Sequence, residues 1–217
     1  MHPVRVVSLE WFFHDHVRMA DDRTHVQDFF TARAADWDTR FPDDGPAYAA
    51  AVSAMDLRTG DAVLDAGCGT GRALPALRSA VGPEGTVLGA DLTAAMLEAA
   101  ARAGRDSDGL LCQADAARLP LRTHALDAVF AAGLIAHLPQ PEQNLAELAR
   151  VVRPGGLLAL FHPIGRAALA ARHRRTLTDD DLRAEPNLAP LLTRSGWRLD
   201  TYTDETDRFL VLAEQMG

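Results

Sequence analysis

The sequence predicts a doubly wound α/β fold: a mostly parallel seven-stranded sheet, helices on both faces and an antiparallel last strand. Three observations predict it. Short apolar runs alternate with helix-period segments from Ala62 onward. The first run leads directly into a glycine-rich turn, Asp65-Ala66-Gly67-Cys68-Gly69-Thr70-Gly71. The chain closes with two strand-like segments joined by the short polar stretch Thr203 to Asp207, as an antiparallel pair requires.

In order, Met1 to Ala20 shows no clean period, and Met19 stands before Ala-Asp-Asp-Arg-Thr in the manner of an ordinary start. Residues 1–20 are therefore expected to be an extension, with Met1 to Arg18 arising from start-site choice, and 21–217 a single domain. The N terminus of native protein is expected at Met19 or just after it, and a native peptide starting at Met1 or His2 contradicts this. Residues 21–56 read as a helical lid. A helix over Thr24 to Asp38 places Val26, Phe29, Phe30, Ala34 and Trp37 on one face, the loop Arg40 to Pro46 breaks it, and a second helix runs from Ala47 to Asp56.

The core then alternates: strand 62–66, helix 71–80, strand 85–90, helix 93–103, strands 109–113 and 126–131. Helix Glu142 to Arg153 carries Leu145, Leu148, Ala149 and Val152 on one stripe, which is core packing. Pro154-Gly155-Gly156 stops it and feeds the apolar strand Leu157 to Phe161. Beyond lie the basic Arg166 to Arg175, a helix start at Thr178-Asp-Asp-Asp181, a short helix after Pro186, and strands 197–202 and 208–213.

Composition narrows the function. A formal charge of −8 disfavours a broad nucleic-acid interface, and no apolar run is long enough for a membrane helix. The two cysteines, Cys68 and Cys112, have no metal spacing and suit a reduced, cytoplasmic setting. The chain contains no lysine, which removes Schiff-base chemistry on this chain.

The glycine-rich turn lets a ligand approach the main chain. Asp65, Asp91 and Asp115 end three successive strands, and three carboxylates there suit a cationic ligand better than a pyrophosphate. S-adenosylmethionine, with a sulfonium, an ammonium and no phosphate, is such a ligand. The dinucleotide fingerprint fits at Gly67, Gly69 and Asp91 but has Arg72 where its third glycine belongs. Asp91 also suits a helix cap and Asp115 a turn, so each carboxylate has a structural reading beside the ligand one.

Five blocks carry a resemblance: VLDAGCGTGR (63–72), VLGADLTAAMLEAA (87–100), QADAARLPL (113–121), LDAVFAAGLIAHLPQP (126–141) and LARVVRPGGLLAL (148–160). Together they resemble the class I S-adenosylmethionine-dependent methyltransferases with their Rossmann-like fold, in particular the ubiquinone/menaquinone-methyltransferase-like group. The resemblance implies that Asp65 and the backbone of Gly67, Cys68, Gly69 and Gly71 hold the methionine end. It implies Asp91 on the ribose, Leu92 and Met96 against the adenine, Asp115 on the adenine amino group and Ala116 facing the ring. Ala131 or Ala132 would line the methionine end, and Trp37, where a tyrosine is usual, would supply an aromatic wall.

Methyl transfer is an in-line displacement that needs alignment and exclusion of water more than a fixed catalytic group. Where the acceptor must lose a proton, His162 and His137, just past strand ends, are the candidate bases, against a structural role for each. His14, His16 and His25 lack a third convergent ligand, so no metal is expected. Arg172, Arg174 and Arg175 around His173 read as a solvated face rather than a contact for an anionic substrate. The expected function is methylation of a small-molecule acceptor by a monomer or homodimer, with S-adenosylhomocysteine as product and no nucleic-acid or membrane partner. The alternatives are a non-catalytic binding protein of the same fold and an NAD-dependent oxidoreductase.

Overall fold

The structure is a computed structural model and describes residues 23–40 and 44–217. The expected extension, with His14 and His16, lies outside the described residues, as do 41–43 of the predicted loop.

The N-terminal layer comprises α1 (Arg23–Thr31), a 3-10 turn (Ala34–Asp36), α2 (Trp37–Arg40) and α3 (Gly45–Ser53). The alternating core follows as β1 (Ala62–Ala66), α4 (Leu74–Val81), β2 (Thr86–Asp91), α5 (Ala94–Arg102), β3 (Leu110–Gln113) and β4 (Leu126–Ala132). The last third holds α6 (Pro141–Val151), β5 (Val152–His162), α7 (Arg166–Arg172), α8 (Glu185–Arg194), β6 (Trp197–Glu205) and β7 (Arg208–Gln215). The seven strands run in the order β3-β2-β1-β4-β5-β7-β6. Strands β1 to β5 pair in parallel, and β7 is antiparallel to both β5 and β6. The order reverses at β1, so the C-terminal ends of β1 and β4 open a crevice at the switch point, where doubly wound sheets hold ligands.

Alternation of side chains along the strands builds two cores. Leu64, Val129 and Leu158 point to the face covered by α6 and α8, with Leu145, Leu148, Leu188 and Leu192. Val63, Ala128 and Phe130 point to the other face, with Leu74 and Leu77 of α4 and Val52 of α3. Burial on both sides explains why β1 and β4 read as continuous apolar runs. Trp197 anchors β6 by donating its indole N–H to the Leu145 carbonyl at 2.9 Å.

Three elements differ from the sequence expectation. The predicted first lid helix divides into α1, a 3-10 turn and α2. Strand β5 begins at Val152, ahead of Pro154-Gly155-Gly156: Leu126 pairs with Val152 and Ala128 with Leu157, so the intervening residues form an irregularity inside the strand. Gly155 takes φ 74 there, the region that favours glycine. No helix starts at Thr178. Asp181 turns its carboxylate onto the Arg183 N–H at 2.9 Å, and α8 begins at Glu185 with Pro186 in its first turn.

The segment between β5 and α8 is fixed by an ionic cluster. Arg166 binds Asp204 at 2.9 Å and Asp181 at 3.3 Å, and the Tyr202 hydroxyl donates to the Arg183 carbonyl at 2.8 Å. Gly165 makes this possible by steric necessity, since a Cβ there would stand 1.7 Å from the Glu205 carbonyl oxygen. Gly165→Ala is expected to cost about 2 kcal/mol or more of stability, at the high end for overpacking, read as a lowered urea midpoint.

Candidate functional site

β1 delivers Asp65 to the crevice, and the chain then turns through three glycines with positive φ: Gly67 (67), Gly69 (54) and Gly71 (77). A Cβ on Gly71 would strike Leu74 Cδ1 at 2.9 Å, so that glycine serves the packing of α4. A Cβ on Gly69 would meet no protein atom within 4 Å. The space over Gly69 is thus open for a ligand to lie against the main chain.

One carboxylate fixes this loop and another stands beside it. Asp91, ending β2, accepts from the Gly69 N–H at 2.8 Å with one oxygen and from the Thr93 N–H at 2.7 Å with the other. It joins the glycine loop to the start of α5, and its oxygens retain lone pairs for hydroxyl donors. Burial raises its pKa, and the two N–H bonds oppose that rise. Asp65 is different. It is 1 % exposed, and its Oδ1 is buried with no hydrogen-bond partner. Burial, then the neighbouring Asp91 charge, pushes its pKa up to about 8. A buried acceptor without a donor is costly unless a ligand supplies one.

Asp115 follows β3 and accepts from the Ala117 N–H at 2.8 Å. Its Oδ2 lies 3.0 Å from Arg23 Nη2 of α1 without the alignment of a hydrogen bond. The structural readings of Asp91 and Asp115 are thus seen in their backbone contacts, and each carboxylate keeps the capacity to accept from further directions.

The cleft over this loop has a volume of about 390 Å³. It brings together Asp65, Gly67, Cys68, Gly69, Asp91, Leu92, Met96, Asp115, Ala116, Ala132, Trp37, His137 and His162 from the sequence expectation. Two expected residues lie off its wall. Ala131 is buried within the sheet core at 1 % exposure, its side chain on the face opposite Phe130, and Gly71 packs as described. Cys68 is held as a neutral thiol by burial, which raises its pKa well above the ordinary value.

Lid side chains complete the cleft. Asp38 of α2 accepts from the Thr70 hydroxyl at 2.7 Å and pairs with Arg105 at 2.7 Å. Asp44, just before α3, pairs with Arg72 at 2.9 Å. Gln27 of α1 donates to the Leu92 carbonyl at 3.0 Å. Arg72 thus occupies, with an ion pair, the position where a dinucleotide fingerprint requires glycine. Sequence spacing gave no signal for Thr70, Arg23, Gln27 or Arg105, whose partners stand 32 to 92 residues away.

At the far end, His162 closes β5. Its Nδ1 is 2.9 Å from the Ile164 carbonyl oxygen and 3.1 Å from the Ile164 nitrogen. The shorter contact is served when Nδ1 carries the proton, which leaves Nε2 as the acceptor. Burial lowers its pKa, so the ring is neutral near pH 7. His137 ends a 3-10 turn (Leu134–His137) and meets Phe30 edge-on at 5.3 Å, while Phe30 meets Trp37 at 5.6 Å. Arg172 and His173 stand in the cleft wall as well, whereas the sequence placed them on a solvated face.

Residues 64–160 match the family described as methyltransferase domain. Over that stretch the chain is similar to S-adenosylmethionine-dependent methyltransferases. Over 110 residues, 49% of this chain and 40% of the relative, it is 36% identical to 27-O-demethylrifamycin SV methyltransferase of Amycolatopsis mediterranei. Over 105 residues, 48% of this chain and 45% of the relative, it is 34% identical to the demethylmenaquinone methyltransferase of Staphylococcus saprophyticus. The chain spans less than half the length of these curated relatives. Its fold is that of magnesium protoporphyrin IX methyltransferase from Synechocystis, solved with bound S-adenosylhomocysteine, at a TM-score of 0.67, 18% identity, and coverage of 90% of this chain and 100% of that one.

The cleft suits S-adenosylmethionine. The orphaned Asp65 oxygen lacks a donor that an ammonium would supply, and the open space over Gly69 admits a chain lying on the backbone. With its pKa at about 8, Asp65 is mostly protonated at pH 6.5; an ammonium placed beside it would draw that pKa down, and binding would then release a proton. Titration of S-adenosylmethionine in two buffers of different ionisation enthalpy is expected to show release approaching one proton, absent in Asp65→Asn. The sign for stability follows. Folding raises this pKa above its unfolded value, so the cofactor-free protein loses stability as the pH rises from 3.8 toward about 8.

Proposed function

We propose that this protein is a methyltransferase that transfers a methyl group in line to a small-molecule acceptor, in the cytoplasm. The observation that carries this reading is the form of the cleft: about 390 Å³, covered by α1 to α3, with the orphaned Asp65 at one end and a neutral, buried imidazole at the other. A covered space of that volume suits a small organic molecule.

S-adenosylmethionine supplies a methyl carbon bonded to a sulfonium leaving group. Asp65 and the Gly67–Gly69 backbone hold its methionine end, Asp91 its ribose hydroxyls, and Asp115 with the Ala116 amide its adenine. Leu92 and Met96 pack beside the ring. The lid contacts Asp38–Thr70, Asp44–Arg72 and Gln27–Leu92 keep water from the reacting end. His162, neutral and with Nε2 as acceptor, would take the proton of an acceptor hydroxyl. His137, packed on Phe30, orients the acceptor against the aromatic wall that includes Trp37.

The non-catalytic reading predicts the same cofactor binding without turnover, because fold and pocket alone do not establish chemistry. Purified protein is to be incubated with S-adenosylmethionine and a panel of phenols, hydroxyquinones and aliphatic alcohols, and S-adenosylhomocysteine formation measured. Acceptor-dependent product is expected, lost in Asp91→Ala. His162→Ala is expected to lower kcat by about 100-fold or more with cofactor affinity unchanged, the usual worth of a positioned base. Tight cofactor binding with no product from any acceptor supports the non-catalytic reading instead.

A further inference from the structure

We propose that the acceptor carries a carboxylate on an apolar body and that Arg183 is the residue that recognises it. This deepens the transfer reading above and rests on it. The cleft is electrically two-ended. Three of its four aspartates, Asp65, Asp91 and Asp115, stand at the cofactor end. The fourth, Asp44, is held by Arg72 at 2.9 Å. Among the described residues, no other carboxylate lines the cleft where the acceptor would sit.

That end is largely apolar, with Arg172 and Arg183 in its wall. Phe161, Ile164, Leu169 and Phe209 line it together with His162 and Arg183. The backbone of Arg183 is locked by Tyr202, whose hydroxyl donates to its carbonyl, and by the Asp181 carboxylate, which accepts from its N–H. Its Nε and Nη2 reach Asp181 only at 3.3 Å. Asp181 is shared, since it also serves Arg166 at 3.3 Å. Asp181 stands outside the cleft wall, whereas Arg183 is part of it with only 17% of its side chain exposed.

A guanidinium so placed is pre-oriented: Asp181 holds its Nε and Nη2, and its Nη1 is left without a protein partner among the described residues. A planar fork of donors in an apolar cleft matches a carboxylate, and leaving it half-matched beside an apolar ligand forfeits that complementarity. The apolar walls suit the remainder of the molecule. Arg183 also helps, after burial, to hold His162 neutral, so the residue that draws in the acid supports the neighbouring base.

The test uses the full chain loaded with S-adenosylhomocysteine, titrated with benzoate, 2-naphthoate and 4-phenylbutyrate and with the three corresponding amides. At least one acid is expected to bind tenfold or more tightly than its amide. Arg183→Gln is expected to abolish that preference, Arg183→Lys to retain part of it, and both to keep the wild-type affinity for S-adenosylhomocysteine as proof of an intact fold. Amides that match their acids, a panel in which no acid binds, or a preference that survives in Arg183→Gln overturns the proposal. Failure of wild-type protein to bind S-adenosylhomocysteine instead removes the cofactor reading beneath it.

Discussion

Asp65 ends β1 with one carboxylate oxygen sealed from water and offered no donor by the protein, and the rest of the site is arranged around that deficit. Burying it there requires β1 to run between β2 and β4 as a fully covered parallel strand, which the paired apolar cores on both faces provide. The adjacent Asp91 raises the cost through like charge, yet its own oxygens are occupied by Gly69 and Thr93 N–H groups. A cofactor-free protein therefore keeps Asp65 protonated near neutrality, and a cationic ligand converts an electrostatic cost into recognition. The glycine loop adds shape to charge: Gly69 leaves open the volume that a side chain would take.

Much of this was legible in the sequence, because it depends on short-range order. The Asp65–Gly71 turn, the strand-end acids and the alternation of apolar runs are local patterns, and sheet order and pairing follow from them with the polar loop before β7. What was illegible depends on contacts between distant residues or on competition between local signals. Pro154-Gly155-Gly156 reads as a stop, but β4 already pairs with Val152, so the break became an irregularity inside β5. Thr178-Asp-Asp-Asp181 reads as a helix start, but Asp181 is drawn into the pairs with Arg166 and Arg183. Ala131 and Ala132 are alike in sequence, and only the phase of β4 against β5 sends one into the core and the other to the cleft.

The lid shows the same division. Its helical character followed from periodicity, whereas its function follows from polar contacts that cross layers: Asp38 to Thr70 and Arg105, Asp44 to Arg72, Gln27 to Leu92. Individually such partly exposed pairs contribute modestly. Their effect is geometric, because each grips an element that also touches the cofactor space. The lid thereby spans a cleft with Asp65, Asp91 and Asp115 toward one end and Phe161, Ile164, Leu169 and Phe209 toward the other.

The most direct test of the Asp65 account is the binding of S-adenosylhomocysteine against its analogue lacking the α-amino group, in wild type and in Asp65→Asn. The account predicts a large preference for the amine in wild type, of about 100-fold for a buried charged pair, that falls to a few-fold in the variant. Equal binding of the two ligands by wild type, or an undiminished preference in Asp65→Asn, contradicts it.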